Sequence, residues 1–363
     1  MIAGYVGTDP VEKLYLGSEL VWSASQPEPT PPYEEQYFTV EAVSAGTVNF
    51  VKETDAVHDV VLDYSVDDGV SWTTFTSTTA GTQIQVAAGD KVLFKGINSG
   101  TGVYASPTIG TKGNTFSGTT ATIKAYGNVM SLLYGDGFYS ATTFQSGVDR
   151  VLGALFENTT ALTDASNLVL PVMDFNNNTG CYAHMFLGCT SLTGVPALPA
   201  TGLSVSCYAQ MFEDCTSLTV APELPATTLR EDCYFRMFKG CTSLTTTPTE
   251  LPALTTVGEC YQEMFEGCTS LTDSPVLPAA TVVTGGSAYG GMFSGCTSLT
   301  AITCLATTIQ ETSGWVKQYG TSSWVSGVAA SGTFYKDPNM TGWTTGVNGI
   351  PSGWTVQDYT PPV

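Results

Sequence analysis

Ten cysteines are the residues of this sequence best placed to do chemistry. Cys181 and Cys189, Cys207 and Cys215, Cys233 and Cys241, and Cys260 and Cys268 form pairs with one spacing, eight residues. Cys296 stands alone in a fifth copy, where Ala288 takes the first place, and Cys304 follows it. Thiols so arranged could form disulfides, hold zinc or act as nucleophiles. If the intervening segment is helical, eight residues rise about 12 Å, beyond the roughly 7 Å Cα separation that a disulfide spans. Packed helices of neighbouring copies would sit about 8–10 Å apart, which disfavours bridges between copies as well. Zinc sites favour cysteines separated by roughly two to four residues, and each gap here is seven. A degenerate copy over 151–162 has Thr159 in the cysteine place, an exchange that a ligand would not survive. The repeat cysteines are therefore expected to be small buried hydrophobes.

Other catalytic groups are sparse. The two histidines, His58 and His184, each stand alone, and His184 occupies a repeat position held elsewhere by Gln210, Arg236, Glu263 and Gly291, which marks it as a variable surface site. No Gly-x-Ser-x-Gly, His-Glu-x-x-His or P-loop pattern occurs. Asp67 and Asp68 adjoin Gly69, where aspartate is favoured for turn hydrogen bonds. Glycoside hydrolysis needs two carboxyl groups roughly 5 to 9.5 Å apart, a distance the sequence does not set. The chain reads as a non-enzyme that needs no cofactor and no metal.

The elements that carry these residues recur. Near-copies of one phrase start at Cys181, Cys207, Cys233, Cys260 and Ala288, at steps of 26, 26, 27 and 28 residues. A fixed period of this size marks a solenoid, whose units bury their apolar faces only by stacking. In each copy Cys-Tyr-x-x-Met-Phe-x-Gly-Cys places Tyr, Met and Phe at i, i+3 and i+4, which predicts a short helix with a glycine stop. Thr-Ser-Leu-Thr and two prolines follow, predicting an extended segment. Copies of it could pair as parallel strands about 4.8 Å apart, with Leu192, Leu218, Leu244, Leu271 and Leu299 as an apolar ladder.

The fold class expected is multidomain and mainly β with α/β repeats. Residues 1–24 read as an N-terminal hairpin element whose Leu14, Leu16, Leu20 and Trp22 would anchor it, and 25–36 as a proline-rich linker. Residues 37–127 carry short β-rich runs between turn signals and predict an Ig-like β-sandwich, with Trp72 and Phe75 in its core. The leucine-rich-repeat solenoid is expected over 128–310 and a Trp-rich C-terminal cap over 311–363, where Trp315, Trp324, Trp343 and Trp354 lie. The cap would cover the solenoid's open end.

Composition narrows the partners. Only 12% of the residues are charged, against about 25% in an ordinary chain. Twelve basic and 32 acidic residues give a formal charge of −20, which repels nucleic acid and anionic membranes. No run of 18 apolar residues occurs, so no membrane insertion is expected. The first ten residues have no basic n-region and no long apolar run, and so do not read as a signal peptide.

Taken with the Leu-Pro-Ala-Thr-Thr-Leu tail at 224–229, the repeated phrase resembles the BspA-type leucine-rich repeats over roughly 128–310. The segments around Gly332–Tyr335 and Gly349–Trp354 are similar to those that close such arrays in proteins of gut bacteria and their phages. The stretch Lys13–Trp22 resembles short N-terminal elements of phage tail and fibre proteins. The resemblance implies surface or virion proteins that adhere to host molecules without catalysis. The expectation is a phage virion structural protein, in tail, fibre or head decoration, held to other virion proteins through its N-terminus. Its repeats would bind a host-surface glycan or protein, and it would be a homo-oligomer, with trimers common among fibres. The alternatives are a secreted bacterial adhesin and a purely architectural decoration. The candidate ligand surface is the set of residues that change between copies: His184, Gln210, Arg236 and Glu263, then Thr246 and Asp273 beside Gly194, Val220 and Ala301.

Overall fold

The computed structural model describes residues 5–6, 9–10, 13–16, 19–23, 32–53, 59–96, 113–141, 144, 149–171, 178–282, 287–309, 320–341 and 343–361; for the strands within 5–23 and at 308–309 the backbone alone is described. The protein is mainly β, in several sheets, with little helix. It divides into two compact units, Met1–Pro32 and Tyr33–Val363.

The first unit holds two antiparallel pairs: β1 (Tyr5–Val6) with β2 (Asp9–Pro10), and β3 (Lys13–Leu16) with β4 (Glu19–Ser23). Leu14 lies opposite Trp22 and Tyr15 opposite Leu20, with a register shift between Leu14 and Tyr15. The side chains expected to anchor this element, Leu14, Leu16, Leu20 and Trp22, lie outside the described set, as do residues 25–31 of the expected linker.

The second unit opens with β5 (Phe38–Ala42), β6 (Gly46–Lys52), β7 (Val61–Ser65), β8 (Thr73–Thr76), β9 (Thr82–Val86), β10 (Lys91–Gly96), β11 (Asn114–Thr115) and β12 (Ile123–Asn128). Next come β13 (Leu162–Asp164) and β14 (Leu168–Val169). One sheet runs β13-β12-β5-β10-β7-β8, with β14 also on β12, and a second runs β11-β6-β9. Strand alternation sends Phe38, Val40, Val92 and Phe94 into the core, where Phe38, Phe50 and Phe94 all pack on Phe116. Strand β12 joins this layer to the repeats: one edge is antiparallel to β5 and the other parallel to β13 and β14. Gly127 makes the junction possible, since a Cβ there would stand 2.2 Å from the Tyr37 carbonyl oxygen. The sheet therefore passes unbroken through the boundary expected near residue 128.

The helix expected in each repeat is absent. Cys181–Cys189 and its copies form a ribbon of turns instead. Alternate amides close turns within the copy: Ala183 to Gly180, Met185 to Tyr182, Leu187 to His184 and Cys189 to Phe186. The amides between them cross to the next copy: Tyr182 to Cys207, His184 to Ala209, Phe186 to Met211 and Gly188 to Glu213, at 2.8 to 3.0 Å. Every fourth residue is left-handed, as at Gly180, His184 and Gly188 or Ser206, Gln210 and Asp214. An α-helix would satisfy all these groups internally; the ribbon sends half of them to its neighbour, so neighbouring copies become covalently distant rungs of one ladder.

That ladder stacks the rings. Phe156, Phe186, Phe212, Phe238, Phe265 and Phe293 follow each other at 5.4 to 5.7 Å and within 8° of parallel. Tyr182, Tyr208, Tyr234 and Tyr261 form a second column at 5.7 to 5.9 Å. Burying each ring completely is worth roughly 1.5–3 kcal/mol, and the pairing adds about 0.5–1.5 kcal/mol. Leu192, Leu218, Leu244, Leu271 and Leu299 are all fully buried beneath them.

The ladder continues past residue 310. Six strands close the chain: β15 (Asp273–Leu277), β16 (Thr281–Val282), β17 (Ala301–Cys304) and β18 (Thr308–Ile309) before that point, and β19 (Thr333–Lys336) and β20 (Thr355–Asp358) after it. A parallel sheet runs β15-β17-β19-β20, and β16 pairs with β18. The amides of Tyr289, Gly291, Phe293 and Gly295 reach Gly320, Ser322, Trp324 and Ser326, so 320–327 forms one more ribbon copy. Trp324 there stacks on Tyr289 and tilts against Phe293, one indole meeting both ring columns. Trp343 packs on Trp324, and Trp354 is buried with its Nε1 donating to the Ala329 carbonyl. Trp315 lies outside the described residues.

Candidate interaction face of the repeats

The six variable residues separate into two columns. His184, Gln210, Arg236 and Glu263 share one ribbon position with Gly291, and all five have φ between 54° and 62°. They meet each other. His184 Nε2 lies 3.0 Å from Gln210 Oε1, and Gln210 Nε2 donates to Glu213 Oε2 at 2.6 Å. Arg236 Nε donates to Glu263 Oε2 at 2.8 Å while its guanidinium lies 4.6 Å from the centre of the Phe235 ring. Lys239 Nζ bridges Glu263, at 2.7 Å, and Glu266, at 2.8 Å.

His184 is only 6% exposed, which corrects its expected place on the surface. Variation between copies reflects here a choice of stacking partner, because a left-handed residue every fourth position turns this side chain along the ladder. Burial, with Arg150 nearby, pushes the imidazole down to about 4 against the bond to Gln210, so it is neutral near pH 7 and donates to the amide oxygen. Burial would raise the Glu263 carboxyl, yet bonds from Glu266, Lys239 and Arg236 hold it down to about 2. Glu263 is thus an ionised partner of two cations. The column is a self-satisfied strip of hydrogen bonds and ion pairs.

Thr246 and Asp273 belong to a different column, on the strands. Gly194 bridges Asp164, Val220 bridges Thr246, Asp273 pairs with Ala301, and the row continues through Thr333 to Thr355. Val220 is 51% exposed, and Thr246, Asp273 and Thr355 are exposed as well. A parallel row begins with Val276 and runs through Thr303 and Tyr335 to Gln357. Together they make a face whose backbone is paired within these runs while its outward side chains change.

Sequence reasoning missed Glu213, Lys239 and Glu266. Each lies three residues after the variable position of its copy, a spacing that the turn ribbon brings together. It also missed Thr333, Tyr335, Thr355 and Gln357, which extend the strand face past the expected cap.

All ten cysteines are buried and unbridged. Burial pushes the thiols up, to about 12 at Cys181, Cys260, Cys296 and Cys304. Five also donate across the ladder: Cys189 to the Phe156 carbonyl at 3.0 Å, and Cys215, Cys241, Cys268 and Cys296 to Phe186, Phe212, Phe238 and Phe265. Such protonated thiols are poor nucleophiles and poor ligands. Thr159, which replaces cysteine in the first copy, is buried too. Among the described residues no group of three or more histidines, cysteines or carboxylates could hold a metal ion, and no helix is long and apolar enough to cross a membrane.

Compared with protein-family models, curated proteins and solved structures, the chain matches none.

Proposed function

We propose that the chain is a non-enzymatic phage virion structural protein, in tail, fibre or head decoration, whose BspA-type leucine-rich-repeat solenoid presents a face for host-cell attachment. One observation carries this reading. Backbone bridges tie Val220 to Thr246, and Asp273 through Ala301 and Thr333 to Thr355, so the side chains at these positions can differ without disturbing the buried leucines and rings. A regular scaffold with a changing exposed row suits recognition of an extended glycan or protein surface.

The N-terminal unit supports attachment to other virion proteins, because Met1–Pro32 forms a compact unit of its own with two short antiparallel pairs. Isolated hairpins of this size are marginal in water and gain stability from a partner. A homo-oligomer, such as a trimer, would supply one. The net charge of −20 argues against nucleic acid as a partner.

Labelling of assembled particles tests this reading. Antibodies against the repeats should bind intact particles and block adsorption, whereas antibodies against residues 1–32 should bind only dissociated protein. Export of the protein by a bacterium that carries no phage would favour the secreted adhesin. Particles whose adsorption is unchanged by repeat antibodies would favour a purely architectural decoration.

A further inference from the structure

A second surface feature stands apart from the repeats, on the outward face of the seven-stranded sheet. Tyr37 just before β5, Lys95 on β10, Trp72 between β7 and β8, and Asp136, Phe138 and Tyr139 of the 3-10 turn Gly135–Ser140 converge there. The rings of Tyr37 and Trp72 meet edge to face at 5.1 Å, and Phe138 lies 5.3 Å from Tyr37. Lys95 Nζ sits 4.3 Å from the centre of the Trp72 ring. Lys95 Nζ, at 2.8 Å, and the Tyr37 hydroxyl, at 2.7 Å, both donate to Oδ1 of Asp136. Asp136 is held below the usual carboxylate range, first by the Lys95 bond and then by that from Tyr37. Its side chain is nevertheless 70% exposed, and Tyr139, whose ring meets Phe138 edge to face at 6.0 Å, is 72% exposed.

The chemistry of this cluster selects among ligands. An anion has little to gain, since Lys95 is already neutralised by Asp136 and the chain carries −20. An organic cation would seek the Trp72 face, which the Lys95 ammonium occupies. What remains is the exposed Tyr139 ring, three residues after Asp136 in the same 3-10 turn, and a carboxylate fixed by an ammonium and a tyrosine hydroxyl. A sugar ring has a face of C–H groups for the aromatic side and vicinal hydroxyls that donate to a carboxylate and accept from an ammonium.

We propose that this cluster is a binding site for a neutral pyranose, with Tyr139 as the stacking platform, Asp136 and Lys95 as the polar clamp, and Tyr37, Trp72 and Phe138 as the wall that positions them. Because both bonds to Asp136 fall on Oδ1, Oδ2 is the oxygen offered to sugar hydroxyls. This site does not depend on the repeat face.

The test is saturation-transfer NMR on the full chain with free methyl glucoside, methyl mannoside, methyl galactoside and N-acetylglucosamine, repeated on Asp136→Asn, Tyr139→Ala and the repeat variant Thr242→Ala, at an exposed position outside both columns. Asp136 and Tyr139 are exposed, and an unchanged melting temperature establishes that their variants fold. Transfer to at least one sugar is expected, reduced tenfold or more in Asp136→Asn and Tyr139→Ala and retained in Thr242→Ala. Absence of transfer to all four sugars, or equal transfer in the folded Asp136→Asn and Tyr139→Ala variants, would overturn the proposal.

Discussion

Phe116 stacks on Phe156 at 5.4 Å and 26°, and Phe156 stacks on Phe186 at 5.5 Å and 5°. The first ring belongs to the β-layer core and the second opens the repeat column, so one aromatic series crosses the junction. The Phe116 amide also donates to the Leu155 carbonyl at 3.0 Å. The layer built on β5 to β12 thus does for the first copy what each copy does for the next: it covers the rings and satisfies the backbone.

Phe116→Ala should therefore destabilise both parts together. A fully buried phenylalanine lost to alanine costs about 3–5 kcal/mol. Thermal unfolding followed separately by ring-sensitive near-ultraviolet and by far-ultraviolet dichroism should shift downward by the same amount. A shift confined to part of the unfolding amplitude would mean that the layer and the repeats fold independently.

Gly267→Ala tests the left-handed backbone that the turn ribbon requires. Gly267 has φ +74°, and the nearest atom to an added Cβ is 3.8 Å away, so there is room but the backbone is left-handed. A loss of about 1–2 kcal/mol is expected in chemical denaturation.

The period, the leucine column and the stacking of copies were legible in the sequence because residues Leu192 to Leu299 recur at nearly constant steps. The ribbon was not. Tyr182, Met185 and Phe186 satisfy the i, i+3, i+4 pattern of a helix, and a ribbon with a four-residue turn period buries the same three positions. The signal that separates them is the series Asn158, Gly188, Asp214, Gly240, Gly267 and Gly295, residue types that tolerate left-handed backbone, recurring at one position of every copy. Replacing helices with a ladder also brings neighbouring copies into direct backbone contact at the cysteines, as the Tyr182 amide reaches the Cys207 carbonyl and the Tyr208 amide the Cys233 carbonyl. Of the six variable residues, variability alone could not separate the paired column of His184 and Arg236 from the exposed row of Thr246 and Asp273. Trp72 was expected in the core with Phe75; it turns instead to Tyr37 and Lys95, and Asp136, far away in sequence, completes its surroundings.

Acidity should act on two seams in opposite directions. Burial, then Glu259 and Glu231, raises Asp232 from 3.8 to about 6. Its contribution to stability is fully present below the unfolded value of 3.8 and is lost as pH rises through about 6. His184 is lowered from 6.5 to about 4, so its contribution is present above 6.5 and is lost as pH falls toward 4. Denaturant titrations across this range should show Asp232→Asn gaining stability over the parent above about pH 6. His184→Gln should lose less than the parent on acidification. Parallel pH profiles for parent and variants would contradict both assignments.

The thiols should be silent in the folded protein. Ellman's reagent is expected to leave all ten cysteines unmodified under native conditions and to titrate ten after unfolding in guanidinium. Rapid native labelling of any of them would show that the ladder opens.

Attachment through the strand row is tested most directly by competition. Purified protein added to susceptible cells should block adsorption of the phage. Introducing lysine at the exposed row with Thr246→Lys and Asp273→Lys should weaken that competition tenfold or more, and Gln210→Ala in the self-paired column should leave it nearly unchanged. Undiminished competition by the folded double variant, or none by the parent protein, would contradict the account.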